Sequence, residues 1–194
     1  MAATLRPARD GDGAAIAAIY APHVLAGTVS FETEAPDAAA MRARMVASDG
    51  LYPWIAAVAG DGDGDGQVLG YAYAGQFSAR EAYRWAVETT VYVAANAQRR
   101  GVGRRLYAGL VATLRAQGFC QAIGRIALPN AGSIALHEAT GFRRAGSFAA
   151  IGWKHGQWID VDYWQCALAP PASPPAEPRR FADTGVVQPW GLAP

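Results

Sequence analysis

Between Tyr83 and Val93 the chain is dense in β-branched and aromatic residues, and within that run stands one carboxylate, Glu88. Strand alternation puts Glu88, Thr90 and Tyr92 on one face and Val87, Thr89, Val91 and Val93 on the other. An acid isolated among apolar neighbours holds its proton more tightly through desolvation, which suits general-base work near neutral pH. The alternation fits a solvated polar face equally well. A few residues on, Gln98-Arg99-Arg100-Gly101-Val102-Gly103-Arg104 lies between that strand and a helical pattern. Glycines there let the backbone approach an anion and adopt positive φ, and the following helix N-terminus favours negative charge. With three arginines around it, a diphosphate is the natural guest; the other reading is a tight strand-to-helix connection with solvated arginines. The spacing is not that of a nucleoside-triphosphatase loop.

Other chemistries find little support. Lys and Arg number 17 against 16 Asp and Glu, a net charge of +1, so no basic footprint for nucleic acid is present. Two cysteines, Cys120 and Cys166, make a poor disulfide framework, and His23, His137 and His155 show no metal-ligand spacing, so no metal is expected. The acidic glycine run from Gly60 to Gly66 lacks the ligand spacing and closing glutamate of a helix-flanked calcium loop and reads as a hairpin tip. Arg6, Arg9, Asp10 and Asp12 interrupt any apolar leader, and no apolar stretch reaches the roughly 18 residues of a membrane span. A cytoplasmic protein that touches neither membrane nor nucleic acid is expected.

The elements that must position these residues follow from periodicity. Thr4 to Pro7 opens as a strand; Asp12 stands as an N-cap to a helix carrying Ile16, Ile19 and Tyr20, with Pro22 interfering. Val29 to Phe31 reads as briefly extended, and Asp37 caps a second helix through Ser48 with Met41, Met45 and Val46 as its inward candidates. Residues 54–59 and 68–75 are strands, as is 83–93. Val102, Leu106, Leu110 and Leu114 recur every fourth residue, an amphipathic helix ending near Gly118. A strand over 121–128, a short helix from Asn130 to Thr140, a strand beginning at Phe142 and a last one over 160–168 complete an α/β sheet with helices on its faces. This places one domain over 1–168. From Ala169 to Pro194 the chain becomes a Pro-rich C-terminal tail, whose apolar Val186, Val187, Trp190 and Leu192 are able to dock on the body.

Gln-x-x-Gly-x-Gly after a strand ending Val91-Tyr92-Val93 resembles the acetyl-CoA diphosphate turn of the GNAT acetyltransferase superfamily. The run from Leu128 through Asn130, Ser133 and His137 to Phe142 is similar to that superfamily's second cofactor segment. Val87 to Val93 and Lys154 to Val161 resemble, more narrowly, the phosphinothricin and methionine-sulfoximine N-acetyltransferases. The likeness runs from about Thr4 to Leu168. It implies a single-domain GNAT fold with a mixed, mostly antiparallel sheet flanked by helices, and acetyl-CoA as acetyl donor. Backbone groups of Val91, Tyr92 and Val93 would then hold the pantetheine arm. Gln98, Arg99, Arg100, Gly101, Val102, Gly103 and Arg104 would hold the diphosphate, with Asn130 and Ser133 touching the cofactor.

The resemblance makes Glu88 the general base, acting directly or through water, on a small amino-acid-like amine acceptor. His137 stands where many members carry a tyrosine that protonates the departing thiolate; it either donates that proton or orders the helix, and Tyr107 is a weaker alternative donor. N–H groups near Tyr92 and Val93 would stabilise the carbonyl oxygen. Phe31, Ser78, Arg80, Tyr83, Thr90, Tyr92 and Arg125 are the acceptor-pocket candidates, Arg80 pairing with a carboxylate or phosphinate. Two positions depart from the family pattern: Ser78 replaces a basic residue, and Arg125 stands where a small or apolar one is expected. Arg125 either enters the pocket and moves the positive charge there, or pairs with a nearby acid and has no chemical part. A GNAT enzyme for another amine and a non-catalytic acyl-CoA sensor are the alternative readings. A homodimer is implied, with Trp153 and Trp158 either at its contact or packed inward.

Overall fold

In the computed structural model, residues 3–60, 66–170 and 175–189 are described. The centre of the acidic glycine run, Pro171, Pro174, Trp190 and Leu192 therefore lie outside the described residues. Seven strands, β1 (Ala3–Pro7), β2 (Trp54–Ala59), β3 (Val68–Gln76), β4 (Ala86–Val93), β5 (Gln121–Ala127), β6 (Arg143–Lys154) and β7 (Gln157–Ala167), form one sheet in the order β1-β2-β3-β4-β5-β7-β6. Every adjacent pair is antiparallel except β4 and β5, which run parallel.

The apolar periodicities decide which helix covers which face. On α3 (Val102–Gln117) the stripe of Leu106, Leu110 and Leu114 is fully buried on one face of the sheet, against residues such as Ile55, Val87 and Ile126. On the opposite face α1 (Gly13–Leu25) and α2 (Ala38–Ala47) bury Ile16, Tyr20, Val24 and Met41 over Trp54 and Tyr71. Asp37 caps α2 as expected, its side chain accepting from Ala40 N–H at 2.8 Å, but Val46, an inward candidate, is exposed on the face turned away from Met41.

Several boundaries differ from expectation. Asp12 occupies the N-cap position of α1 but makes no side-chain cap to that helix; its carboxylate instead accepts from the Arg9 N–H at 2.7 Å and takes both arms of the buried Arg6 guanidinium at 2.7 and 2.8 Å. Pro22 lies inside α1, which continues to Leu25; a proline there removes one N–H, while the buried Tyr20 and Val24 hold the turn against the sheet. Residues 29–31 form no strand. β4 starts only at Ala86, because Glu81–Tyr83 coil into a short 3-10 turn before it. The last two strands are longer than periodicity suggested and form a hairpin turning at 155–156.

The described part of the tail docks on the body. Val187 N–H donates to Thr113 Oγ1 at 3.0 Å and Gln117 Nε2 donates to Arg179 O at 2.8 Å, so two buried polar groups of α3 are answered by the tail. Trp85 Nε1 donates to Ala176 O at 2.8 Å, and Gln188 Nε2 to Leu5 O at 2.9 Å. Phe181, opening the one-turn α5 (Phe181–Thr184), and Val186 pack on the α3-side core.

Candidate active site

The parallel ladder between β4 and β5 is short. It runs from the Ala86–Gln121 pair to the Thr89–Gly124 pair and stops, although β4 continues to Val93 and β5 to Ala127. Beyond Thr89 one edge of β4 therefore faces an open gap instead of a strand. Ala94 N–H donates to Leu69 O, so residue 92 also addresses β3, and by alternation the N–H and C=O of Val91 and Val93 address the gap. These are groups able to pair with an extended amide-bearing chain. Of the N–H groups near Tyr92 and Val93 expected to serve the carbonyl oxygen, this register turns that of Val93 to the gap and that of Tyr92 to the β3 ladder.

At the end of the same strand the chain passes Gln98, whose amide donates to Val93 O at 3.3 Å, and turns into α3 through Gly101. Gly101 has φ of 81°, a left-handed conformation that glycine adopts without strain, and no side chain caps the helix it begins. The first-turn N–H groups of α3, over Val102, Gly103 and Arg104, thus have no intrahelical acceptor and point out of the helix end. Arg99, Arg100 and Arg104 are exposed around it. An uncapped helix end ringed by guanidinium groups is complementary to a diphosphate.

Glu88, Thr90 and Tyr92 line a cleft of about 500 Å³ on the α1 side of the sheet, together with Phe31, Arg125 and His137. Asn130 and Ser133 line it too; Asn130 caps α4 (Ala131–Ala139), its side chain accepting from Ser133 N–H at 3.1 Å. Glu88 is not the isolated acid suggested by its strand. Arg125 Nε donates to Glu88 Oε1 at 2.7 Å and Nη2 lies 2.5 Å from the same oxygen. Arg125 thus both lines the pocket and pairs with the acid there. The surrounding Glu88 side chain is 25% exposed and that of Arg125 52%, so solvent screens the pair.

His137 has both nitrogens engaged. Nδ1 lies 2.8 Å from Ser133 O, a carbonyl that only accepts, so Nδ1 carries the hydrogen. Nε2 is then an acceptor, 2.9 Å from the Tyr107 hydroxyl, which in turn lies 2.8 Å from Thr89 Oγ1. Burial pushes His137 below the usual imidazole range despite the opposing bond to Ser133, so the ring is neutral. Burial likewise pushes the Tyr107 phenol up, so it keeps its proton. Of the two parts left open for His137, the geometry favours the ordering one: no N–H faces the cleft, and the ring ties α4 to α3 and β4.

A family model described as an acetyltransferase (GNAT) domain matches residues 5–162. The phosphinothricin N-acetyltransferase of Streptomyces viridochromogenes is 41% identical over 170 residues, 88% of this chain and 90% of the relative. The L-methionine sulfoximine/L-methionine sulfone acetyltransferase of Pseudomonas aeruginosa is 35% identical over 178 residues, 90% of this chain and 100% of the relative. Among solved structures, a GNAT phosphinothricin acetyltransferase from Sinorhizobium meliloti, determined with acetyl-CoA, superposes with a TM-score of 0.83 at 38% identity, covering 95% of this chain and 98% of its own. The chain belongs to the GNAT acetyltransferase family.

Not every acceptor candidate of this GNAT chain converges. Ser78, Arg80 and Tyr83 sit between β3 and β4 outside the cleft lining. Arg80 and Tyr83 are exposed; Ser78 Oγ accepts from Arg80 N–H at 3.5 Å, and Tyr83 packs edge-on against Phe77. Phe31 is present, on a loop held by Lys154, whose buried Nζ donates to Val24 O at 2.6 Å and Ser30 O at 2.7 Å. The wall also contains Glu32 and Tyr73, which sequence reasoning missed. Tyr73 was accessible to it, since alternation along β3 places this ring opposite Thr90. Glu32 was not: its place is fixed by the Arg44 fork at 2.8 Å and by the Tyr20 hydroxyl at 2.9 Å, both distant in sequence.

Proposed function

We propose that this chain is an N-acetyltransferase that moves the acetyl group of acetyl-CoA to the amino group of a small amino-acid-like acceptor, with Glu88 as general base. The carrying observation is that Glu88 shares one cleft with the residues bordering the β4–β5 gap. The gap-facing groups of Val91 and Val93, the turn from Gln98 to Arg104, and Asn130 with Ser133 are the residues that would hold the donor. They fit it because they offer an unpaired strand edge, an uncapped helix end and cations in chain order. Acetyl-CoA supplies the acyl group as a thioester.

An amino acid's amine is protonated near neutral pH and cannot attack a carbonyl. Glu88 takes one proton from the ammonium and frees the nitrogen lone pair. Backbone N–H groups of β4 facing the gap donate to the carbonyl oxygen as it gains negative charge. The nitrogen sheds a second proton once the C–N bond has formed, and that proton is available to the departing sulfur. The chemistry then needs no separate acid, in keeping with a neutral His137 whose nitrogens are both engaged.

The relatives' names point to phosphinothricin and to methionine sulfoximine or sulfone as acceptor classes. Thr90, Tyr92, Phe31 and Arg125 would contact the acceptor from within the cleft, and Arg80, Tyr83 and Ser78 from its approach. The same proposal includes a homodimer and a cytoplasmic setting. Phe148, Ile151, Trp153 and Trp158 are all more than half exposed on the β6–β7 hairpin, apolar area that a second copy would cover. Cys120 and Cys166 are free thiols, and among the described residues no helix is long and apolar enough to cross a membrane.

Thiol release from acetyl-CoA over a panel of amino acids, with and without Glu88→Gln, tests the function. The amide should leave donor binding intact and lower kcat by about 10²- to 10⁴-fold. Turnover near that of the unaltered chain would remove Glu88 as base.

A further inference from the structure

Arg125 stands one residue beyond Gly124, the last β5 residue in the ladder with β4, and so at the point where the two strands part. Glu88 is paired in register with Ile123, and Ile123 and Arg125 share a face of β5, so the guanidinium reaches the carboxylate diagonally across the opening. Its two contacts fall on one oxygen, Oε1, and are not the parallel two-oxygen fork that guanidinium and carboxylate prefer. The Arg125 side chain is also half exposed, so water competes for its contacts. While both guanidinium nitrogens sit on Oε1, that oxygen is not open to an incoming ammonium.

Resting on the acetyl-transfer reading, we propose that Arg125 is a latch on the base. In the free chain it holds Glu88; the carboxylate of an arriving amino acid takes the guanidinium in a two-oxygen fork, anchors the acceptor and leaves Glu88 free to take the proton from the ammonium beside it. No bond is made or broken in the exchange beyond hydrogen bonds. An acceptor without a carboxylate finds no anchor and leaves the latch closed. Arg125 would thereby select amino acids over simple amines, and would couple that selection to the competence of the base.

The test compares methionine sulfone with its C-terminal amide as acceptors for the full chain and for Arg125→Leu, with Arg125→Gln repeating the measurement should leucine disturb the strand and Arg125→Lys restoring charge without the fork. In Arg125→Leu, kcat/KM for the acid should fall by about 10- to 100-fold, carried by KM, the range expected for a lost charged hydrogen bond. That for the amide should rise, because Glu88 is no longer held. Lysine should recover part of the preference for the acid. An unchanged acid-to-amide ratio in both the leucine and glutamine variants would overturn the latch, as would a fall for the acid with no gain for the amide. If the unaltered chain acetylated neither compound nor any other amine, the acetyl-transfer reading itself would fall, an outcome distinct from the preceding ones.

Discussion

At the scale of single residues, the site depends on small distances that a methyl group can upset. Gly124 lies where β5 meets the Tyr107–His137 pair. A Cβ there would fall on His137 Nε2 and 3.3 Å from the Tyr107 hydroxyl, both belonging to buried side chains. Gly124→Ala must therefore displace the imidazole and leave a buried hydroxyl without its acceptor. Such a change costs about 1–3 kcal/mol. Urea unfolding should show a loss of this size, and a midpoint unchanged from that of the parent would mean that the chain through Tyr107 and His137 carries no structural weight.

At the scale of elements, the caps and anchors of the helices set where the cleft residues stand. Asn130 answers the Ser133 N–H at the start of α4, and Asn130→Ala should cost about 1 kcal/mol of stability, read as a lowered Tm. The start of α1 has a different anchor. Burial alone would raise the Asp12 carboxyl, but hydrogen bonds from the Arg6 guanidinium and the Arg9 N–H outweigh it and hold Asp12 below its ordinary value. A carboxyl lowered by folding stabilises the fold above its unfolded value, about 3.9, and that contribution is lost as pH falls through the folded value. Thermal melts from pH 6 downward should show Tm falling below about pH 4, and Asp12→Asn should be less stable at neutral pH with a flatter acid dependence. A parallel acid dependence in the two proteins would assign the effect elsewhere.

At the scale of the whole molecule, two surfaces finish the fold. Removing residues 169–194 would leave Thr113 and Gln117, both buried in α3, without their tail partners. Unmade bonds of this kind cost about 1–3 kcal/mol each, so Tm should drop by roughly 5 °C or more. A truncated chain melting with the parent would show the docked segment to be dispensable. On the opposite edge, Trp153 and Trp158 are register partners with ring centroids 5.2 Å apart, and both are exposed. Sedimentation of the unaltered chain should give a dimer, and Trp153→Lys with Trp158→Lys a monomer; a monomer in both would refute the second copy as the cover of this hairpin.

What the sequence alone determined was local. Period-two alternation gave Glu88, Thr90 and Tyr92 a common face, the four-residue recurrence of Val102, Leu106, Leu110 and Leu114 gave α3 its buried stripe, and the glycines after Gln98 marked the turn between them. Those features follow from backbone stereochemistry and neighbours a few residues apart, which one chain read in order displays. The tertiary structure alone decided what lies opposite what. Arg125 meets Glu88 across 37 residues, His137 meets Tyr107 across 30, and Lys154 meets the loop of Phe31 across 124. Each contact depends on the register of strands and the approach of a helix, fixed by the packing of the whole sheet, and no spacing along the chain encodes it.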